Sequence, residues 1–212
     1  MTTAKILCQG LGYTVVLFLV TIVVSIPLGL ITTFLSGSKI WIVRAITKVY
    51  VFLMRGTPLM LQLFFFYFGL PFIPFIGKYL AMDRFTAGCL AFALNYAAYF
   101  CEIFRGGLLS IDKGQYEAAK VLGMSKFQTT MRIIIPQMIK VVLPPTANEA
   151  IVLVKDTALV SSIGITDMLH YTKSLVNSTG NVLPYAVAAV FYLIMTYGLT
   201  KLFDWLEKKY MF

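Results

Sequence analysis

Charge, histidine and cysteine are all scarce in this chain of 212 residues. Asp, Glu, Lys and Arg together make up 13% of it, and there are one histidine and three cysteines. Metal centres and acid–base sites are built from clusters of these side chains, so the composition offers little for metal binding or catalysis. The cysteines match no metal-binding spacing, and we expect them to be free, buried thiols.

Charge is also missing from long runs of the sequence. Residues 6–38, 56–77, 85–101 and 174–200 contain no Asp, Glu, Lys or Arg, and 59% of the chain is hydrophobic. A membrane-spanning helix needs about 20 predominantly apolar residues. The sequence therefore predicts an all-α membrane protein that forms one transmembrane domain over residues 1–212. We expect no cleavable signal peptide, because the first apolar run is too long and has little positive charge before it.

The pattern predicts five spanning helices, at about 8–36, 46–70, 84–107, 135–156 and 181–205. Thirteen of the 18 Lys and Arg residues then fall on one set of loops and five on the other. Because cytoplasmic loops carry the excess of positive charge, we expect the N-terminus outside and the C-terminus in the cytoplasm. This bias accounts for the net charge of +9 without a nucleic-acid partner, and it predicts a multi-pass protein of the cell membrane.

The cytoplasmic loop 108–134 is the most informative polar segment. It contains two pairs with capping-box spacing, Asp112–Gln115 and Ser125–Gln128, and Gly123 lies between them where a helix would end. The pattern predicts a short helix over 113–122, a turn at the glycine, and a second helix after it.

Two carboxylates interrupt the fourth predicted span. Glu149 and Asp156 are seven residues apart, so on a helix they lie within about 20° of each other and roughly 10 Å apart along the axis, whereas Lys155 points about 100° away. Ionisable residues within a membrane face the bundle interior or a wet cavity. We predict a site for a cationic group, with Asp156 near the external end of the span and Lys155 mainly structural. Pairing of the acids with Lys155 or with arginines of neighbouring helices stays open.

The loop resembles the EAA motif of ABC importer permeases, in which E-A-A is followed after three residues by G and after nine more by I-x-L-P. The matching residues here are Glu117, Ala118, Ala119, Gly123, Ile133 and Pro136, with Ile135 in place of the leucine. Residues 55–71 (RGTPLMLQLFFFYFGLP), 97–119 and 143–159 are similar to the polar amino acid subfamily.

The resemblance implies a type I importer permease core of five helices that works as a pair. A homodimer is favoured and a heterodimer possible. It further implies two cytoplasmic ATPase subunits and an extracellular substrate-binding protein. Since no G-x-x-x-x-G-K-[ST] motif occurs in the chain, we expect it to bind no cofactor and the separate ATPase to hold ATP and Mg²⁺. The chain is then a transport subunit and not an enzyme.

The coupling to the ATPase is expected to run through a helix and turn formed by Tyr116, Glu117, Ala118, Ala119 and Gly123. A short capped helix transmits a displacement better than a coil does. The two alanines would allow close approach to a groove, and the glutamate would supply a charge partner.

The substrate implied by the resemblance is an amino acid moved by alternating access. An acidic residue at Glu149 resembles systems for arginine, lysine or histidine, whereas Asp156 belongs to a pattern common to the family. A neutral polar amino acid or cystine is the alternative substrate. An alternative of a different class is a channel or a secondary transporter, although no internal repeat indicates one.

Further polar residues are candidates for contact with the substrate's α-amino and α-carboxylate groups: Gln62, Thr57, Asn95 and Asn148. Gln62 is favoured because it lies deep in an apolar run, while Thr57 and Asn95 could equally form interhelical hydrogen bonds. Arg55, Glu102 and Arg105 lie near the predicted cytoplasmic side, and we expect a structural or gate-locking ion pair there.

Overall fold

The computed structural model describes residues 3–211, and within them the chain is helical, with no β-strand. This confirms the predicted all-α fold. The α-helices in chain order are α1 (Thr3–Ser36), α2 (Trp41–Gly56), α3 (Leu59–Phe64), α4 (Gly77–Leu80), α5 (Arg84–Leu109), α6 (Lys113–Val121), α7 (Lys126–Thr129), α8 (Ile135–Asp156), α9 (Met168–Thr179) and α10 (Leu183–Met211).

Three of these helices, α1, α5 and α10, are long and apolar enough to cross a membrane. The pair α2 and α3 would provide a fourth crossing if the two helices form one span. The remaining predicted span, α8, is not among them. It contains Pro144 and Pro145 and four charged residues, but it packs against both α5 and α10.

The second predicted span, 46–70, is not one continuous helix, so this prediction was wrong. The chain bends by 109° between α2 and α3, where Thr57 adopts φ −120° and ψ 147°. The cause is Pro58, because a proline ring disfavours the helical conformation of the residue before it. Further along, Phe65–Gly69 form a π-helical turn.

Helices α1 and α5 form the centre of the fold. Small and hydroxyl side chains recur along one face of α1, and all of them are buried: Gly10, Thr14, Thr21, Ser25, Gly29 and Thr33. A Cβ added to Gly29 would lie 2.6 Å from the Cβ of Phe100, so the glycine lets the two helices approach closely. The opposing face of α5 supplies buried aromatic rings, among them Phe92, Tyr96 and Phe100.

The loop after α5 folds largely as predicted. Helix α6 begins after Asp112 and ends before Gly123, which has φ +71°, and Ser125 and Gln128 form a complete capping box at α7. The first predicted box is incomplete. Asp112 accepts a hydrogen bond from the Gly114 amide, but the Gln115 side chain accepts one from Gln137 at 3.1 Å instead of capping its own helix.

Candidate functional site

The break between α2 and α3 opens a cavity of about 660 Å³ against α5 and α8. Because the two residues at the break are extended, backbone and side chains of this segment face the opening. The lining residues are Arg55, Gly56, Thr57, Pro58, Leu59, Met60, Asn95, Tyr96, Tyr99, Glu149, Val152, Asp156 and Leu159.

Both carboxylates predicted on one face of α8 reach this cavity. Glu149 and Asp156 are each partly buried, and within residues 3–211 neither lies within 4.0 Å of a Lys or Arg nitrogen. The Tyr96 hydroxyl donates a hydrogen bond of 2.8 Å to Asp156 Oδ2. Within the described residues, both acids therefore lack a cationic partner. The alternative, that they pair with Lys155 or with arginines of neighbouring helices, is not observed there.

Asp156 is the last residue of α8, and its hydrogen-bond donor, Tyr96, belongs to α5, which is itself a candidate span. The Asp156 carboxylate therefore packs against that span. Its place near the external end of the fourth span stays a prediction.

A network of two side-chain amides holds the break in α2–α3. Gln62 Nε2 donates to the carbonyl oxygen of Met54 at 2.8 Å and to the Thr57 hydroxyl at 2.8 Å. Asn95 Nδ2 donates to the same Met54 carbonyl at 2.9 Å and to Gln62 Oε1 at 3.0 Å. These amides satisfy backbone groups that the bend frees from helical hydrogen bonding.

The predicted polar contacts divide into two groups. Thr57 and Asn95 line the cavity, but Gln62 and Asn148 lie outside it. Gln62, the favoured residue, is buried and uses its amide within the network, while Asn148 is exposed on another face of α8. Their placement does not support the predicted direct contact with a substrate.

The predicted ion pair is present and extends to the cavity. Arg105 Nε donates to Glu102 Oε1 at 3.1 Å, and Arg55 Nη1 lies 3.6 Å from Glu102 Oε2. The Arg55 guanidinium also lies 5.4 Å from the centre of the Tyr99 ring. Arg55 therefore adds one positive charge to a cavity that carries two carboxylates.

Sequence reasoning missed the two tyrosines and the position of Arg55 in the cavity. A signal for Tyr99 was available, because Asn95, Tyr99 and Glu102 recur at helical spacing and form a polar face on α5. No such signal existed for Tyr96, whose hydrogen bond to α8 depends on how the two helices pack.

The surface of the loop 108–134 is partly as predicted. Tyr116, Glu117 and Ala118 are exposed on α6, and Val121 and Leu122 at its end are 87% and 76% exposed. Ala119 is fully buried within the chain, so it packs inward and does not offer a surface for close approach. The surface that α6 still offers to a partner includes the apolar side chains of Val121 and Leu122 and the carboxylate of Glu117.

Comparison with known proteins identifies the family. Residues 25–211 match the family described as the binding-protein-dependent transport system inner membrane component. The octopine transport system permease protein OccM of Rhizobium radiobacter is 38% identical over 195 residues, which cover 87% of this chain and 79% of OccM. The glutamine transport system permease protein GlnP of Escherichia coli K12 is 32% identical over 205 residues, covering 96% and 92%.

A solved structure agrees in fold. The crystal structure of an amino acid ABC transporter with histidines superposes with a TM-score of 0.87 at 34% identity, covering 97% of this chain and 94% of that one. The chain thus has a type I ABC permease fold. It belongs to the family of binding-protein-dependent inner membrane transport components, as the multi-pass membrane permease subunit, and not an enzyme, of an amino acid ABC importer.

Proposed function

We propose that this permease moves basic amino acids, namely arginine, lysine or histidine, into the cell. The observation that carries the proposal is the cavity with two carboxylates that have no cationic partner in the described chain. Its volume of about 660 Å³ falls within the roughly 300–1,000 Å³ of ligand pockets in general.

Each carboxylate suits a different cationic group. Asp156 accepts a hydrogen bond from Tyr96 and suits the α-ammonium, which every amino acid carries. Glu149 accepts no hydrogen bond from the described residues and suits the cationic side chain, because charge-assisted hydrogen bonds are strong in a low dielectric. Arg55, at the edge of the same cavity, can donate to the α-carboxylate.

The relatives support two substrate classes. The structure with histidines favours a basic amino acid, whereas GlnP, a glutamine permease, favours a neutral polar one; cystine belongs to this second class. Two acids against one arginine leave a net negative cavity, which a zwitterion with a neutral side chain would not neutralise. This charge balance favours the basic substrate.

The transport cycle we propose is alternating access. An extracellular binding protein delivers the amino acid, and two ATPase subunits close in the cytoplasm on ATP. Helix α6 with Glu117 and the Gly123 turn carries their motion to a pair of permease copies, for which we favour a homodimer. The cavity must bind substrate with different affinity in its outward and inward states, or the cycle would move nothing.

The experiment that tests the proposal is substrate-stimulated ATPase activity of the assembled transporter. We expect stimulation by arginine, lysine or histidine, and we expect Glu149→Gln to raise the half-saturating concentration at least tenfold, since it removes a charge-assisted contact. The matched control is Asp204→Asn, an exposed carboxylate on α10. An unchanged half-saturating concentration in Glu149→Gln, or stimulation by glutamine alone, would contradict the proposal.

A further inference from the structure

The segment between α3 and α5 exposes large apolar side chains. Residues 70–80 of this segment, which we call the aromatic turn, contain four of them: Phe72, Phe75, Ile76 and Tyr79. Phe72 is 85% exposed and Phe75 is 95% exposed. Apolar side chains gain free energy when they leave water, so this many in one short segment indicate contact with an apolar phase or with a partner.

The aromatic turn is closely packed along its backbone. The Gly77 amide donates a hydrogen bond of 2.8 Å to the Ile73 carbonyl, and a Cβ added to Gly77 would lie 2.2 Å from the carbonyl oxygen of Pro71. Phe75 adopts φ +68°, a left-handed conformation that is unfavourable for a residue with a Cβ. The fold thus holds the Phe75 ring outward against local strain, where it packs on almost nothing in the described chain.

The position of the turn is fixed by the helix that follows it. Helix α5 begins at Arg84, four residues after the turn, and is a candidate membrane span of 26 residues. A helix of this length extends about 39 Å, whereas the hydrocarbon core of a bilayer is roughly 30 Å thick. The aromatic turn therefore lies at the level of a membrane–water interface, at the end of α5 opposite the loop 108–134.

The residue types of the turn match such an interface. Aromatic rings with a polar end, such as Tyr79, are enriched at the level of the lipid headgroups. The Lys78 ammonium lies 4.8 Å from the centre of the Tyr79 ring, and no Asp or Glu occurs in residues 70–82 to oppose its charge. A lipid surface offers hydrocarbon to the rings and phosphate to the lysine.

We propose that the aromatic turn inserts into the interface of the lipid bilayer. Phe72 and Phe75 lie at the boundary between headgroups and acyl chains, and Lys78 lies at the level of the phosphates. Because the turn joins α3 to α5, and both helices line the cavity, this contact holds two walls of the cavity at a fixed depth in the membrane. The inference concerns lipid and goes beyond the proposed transport of basic amino acids.

The test is lipid quenching of a tryptophan placed in the turn, in the assembled transporter in lipid nanodiscs. The chain has two native tryptophans, whose emission is measured in the unsubstituted protein and subtracted. We expect phospholipid brominated on its acyl chains near the headgroup to reduce the added emission of Phe75→Trp about twofold, because the ring lies at headgroup level. Aqueous iodide should have little effect. The control is Ser178→Trp, an exposed position near the end of α9, which should respond to iodide and not to brominated lipid.

Two results overturn the proposal. Quenching of Phe75→Trp by iodide and not by brominated lipid places the turn in water, and if added binding protein then shields it, that protein is the occupant. Protection from both reagents without binding protein places another membrane-embedded chain over the turn. If Phe75→Trp prevents assembly, Tyr79→Trp replaces it and is held to the same outcomes. None of these readouts depends on which amino acid is transported, so the inference and the proposed function can fail separately.

Discussion

At the scale of single residues, Gln62 determines the shape of the cavity without lining it. Its amide and that of Asn95 converge on the Met54 carbonyl, and Gln62 also contacts the Thr57 hydroxyl. The helix break and the cavity wall from Arg55 to Met60 thus depend on two side chains that are both buried.

We predict that Gln62→Met destabilises the permease by roughly 1–3 kcal/mol, because the amide of the buried Asn95 loses an acceptor and the part-buried carbonyl of Thr57 loses a donor. Thermal unfolding of the purified complex measures this. Gln9→Met on the exposed surface of α1 is the control, and equal midpoints for the two variants would show that the network does not stabilise the break.

The sequence predicts the relative position of two side chains where both belong to the same helix. The shared face of Glu149 and Asp156 follows from helical geometry alone, and both do reach one cavity. Asn148, the immediate neighbour of Glu149, was grouped with them although it is exposed and lies outside the cavity. Position on the chain does not reveal what lies opposite a helix face, so only packing could separate the two.

At the scale of elements, a buried acid caps the N-terminus of α9. Asp167 is fully buried, and its Oδ1 accepts a hydrogen bond of 2.9 Å from the His170 amide. Its Oδ2 has no hydrogen-bond partner among the described residues. Burial raises the pKa of Asp167 from 3.8 to about 6, against smaller opposing effects of the amides of His170 and Leu169 and of the His170 and Lys173 charges.

The raised pKa predicts a pH dependence. The folded chain holds the proton of Asp167 more tightly than the unfolded chain, so the free energy of unfolding falls as pH rises from about 4 to about 6 and is level above that. A difference of about two pH units corresponds to about 3 kcal/mol.

Asp167→Asn keeps a capping side chain and removes the titration. We expect it to be more stable than the native chain at pH 7 by up to about 3 kcal/mol, and the difference to vanish towards pH 4. Thermal midpoints measured across this range for both proteins provide the check. A difference that does not change with pH would contradict a titrating Asp167.

The elements were predictable where local chemistry decides them. Asp112, Gly123 and the Ser125–Gln128 box fixed the limits of α6 and the start of α7. The break at Pro58 was not predicted, although the proline was visible, because membrane helices often tolerate proline, as α1 does at Pro27. Which of the two outcomes follows depends on partners such as Asn95, which is distant along the chain but hydrogen-bonded to the Met54 carbonyl.

At the scale of the whole molecule, the cavity and the loop 108–134 are separate sites, and the transport cycle we propose requires them to act together. Glu117 is exposed on α6, beside the apolar side chains of Val121 and Leu122. We predict that Glu117→Lys reduces the amount of ATPase subunit that co-purifies with the permease about tenfold, equivalent to about 1.4 kcal/mol. The reason is that a lysine would repel the positive group of the ATPase that we expect Glu117 to attract.

The matched control for this variant is Asp204→Lys, a charge reversal at another exposed acid, on α10. It should leave ATPase recovery unchanged. If both reversals act alike, or neither acts, α6 is not the docking element and the proposed coupling route is wrong.

We propose above all that the two carboxylates of α8 make this permease an importer of basic amino acids. Uptake by the transporter reconstituted in liposomes with its ATPase and its binding protein tests the claim most directly. We predict ATP-dependent accumulation of labelled arginine, lysine or histidine that excess glutamine does not inhibit. Accumulation of glutamine or cystine, with no uptake of any basic amino acid, would contradict it.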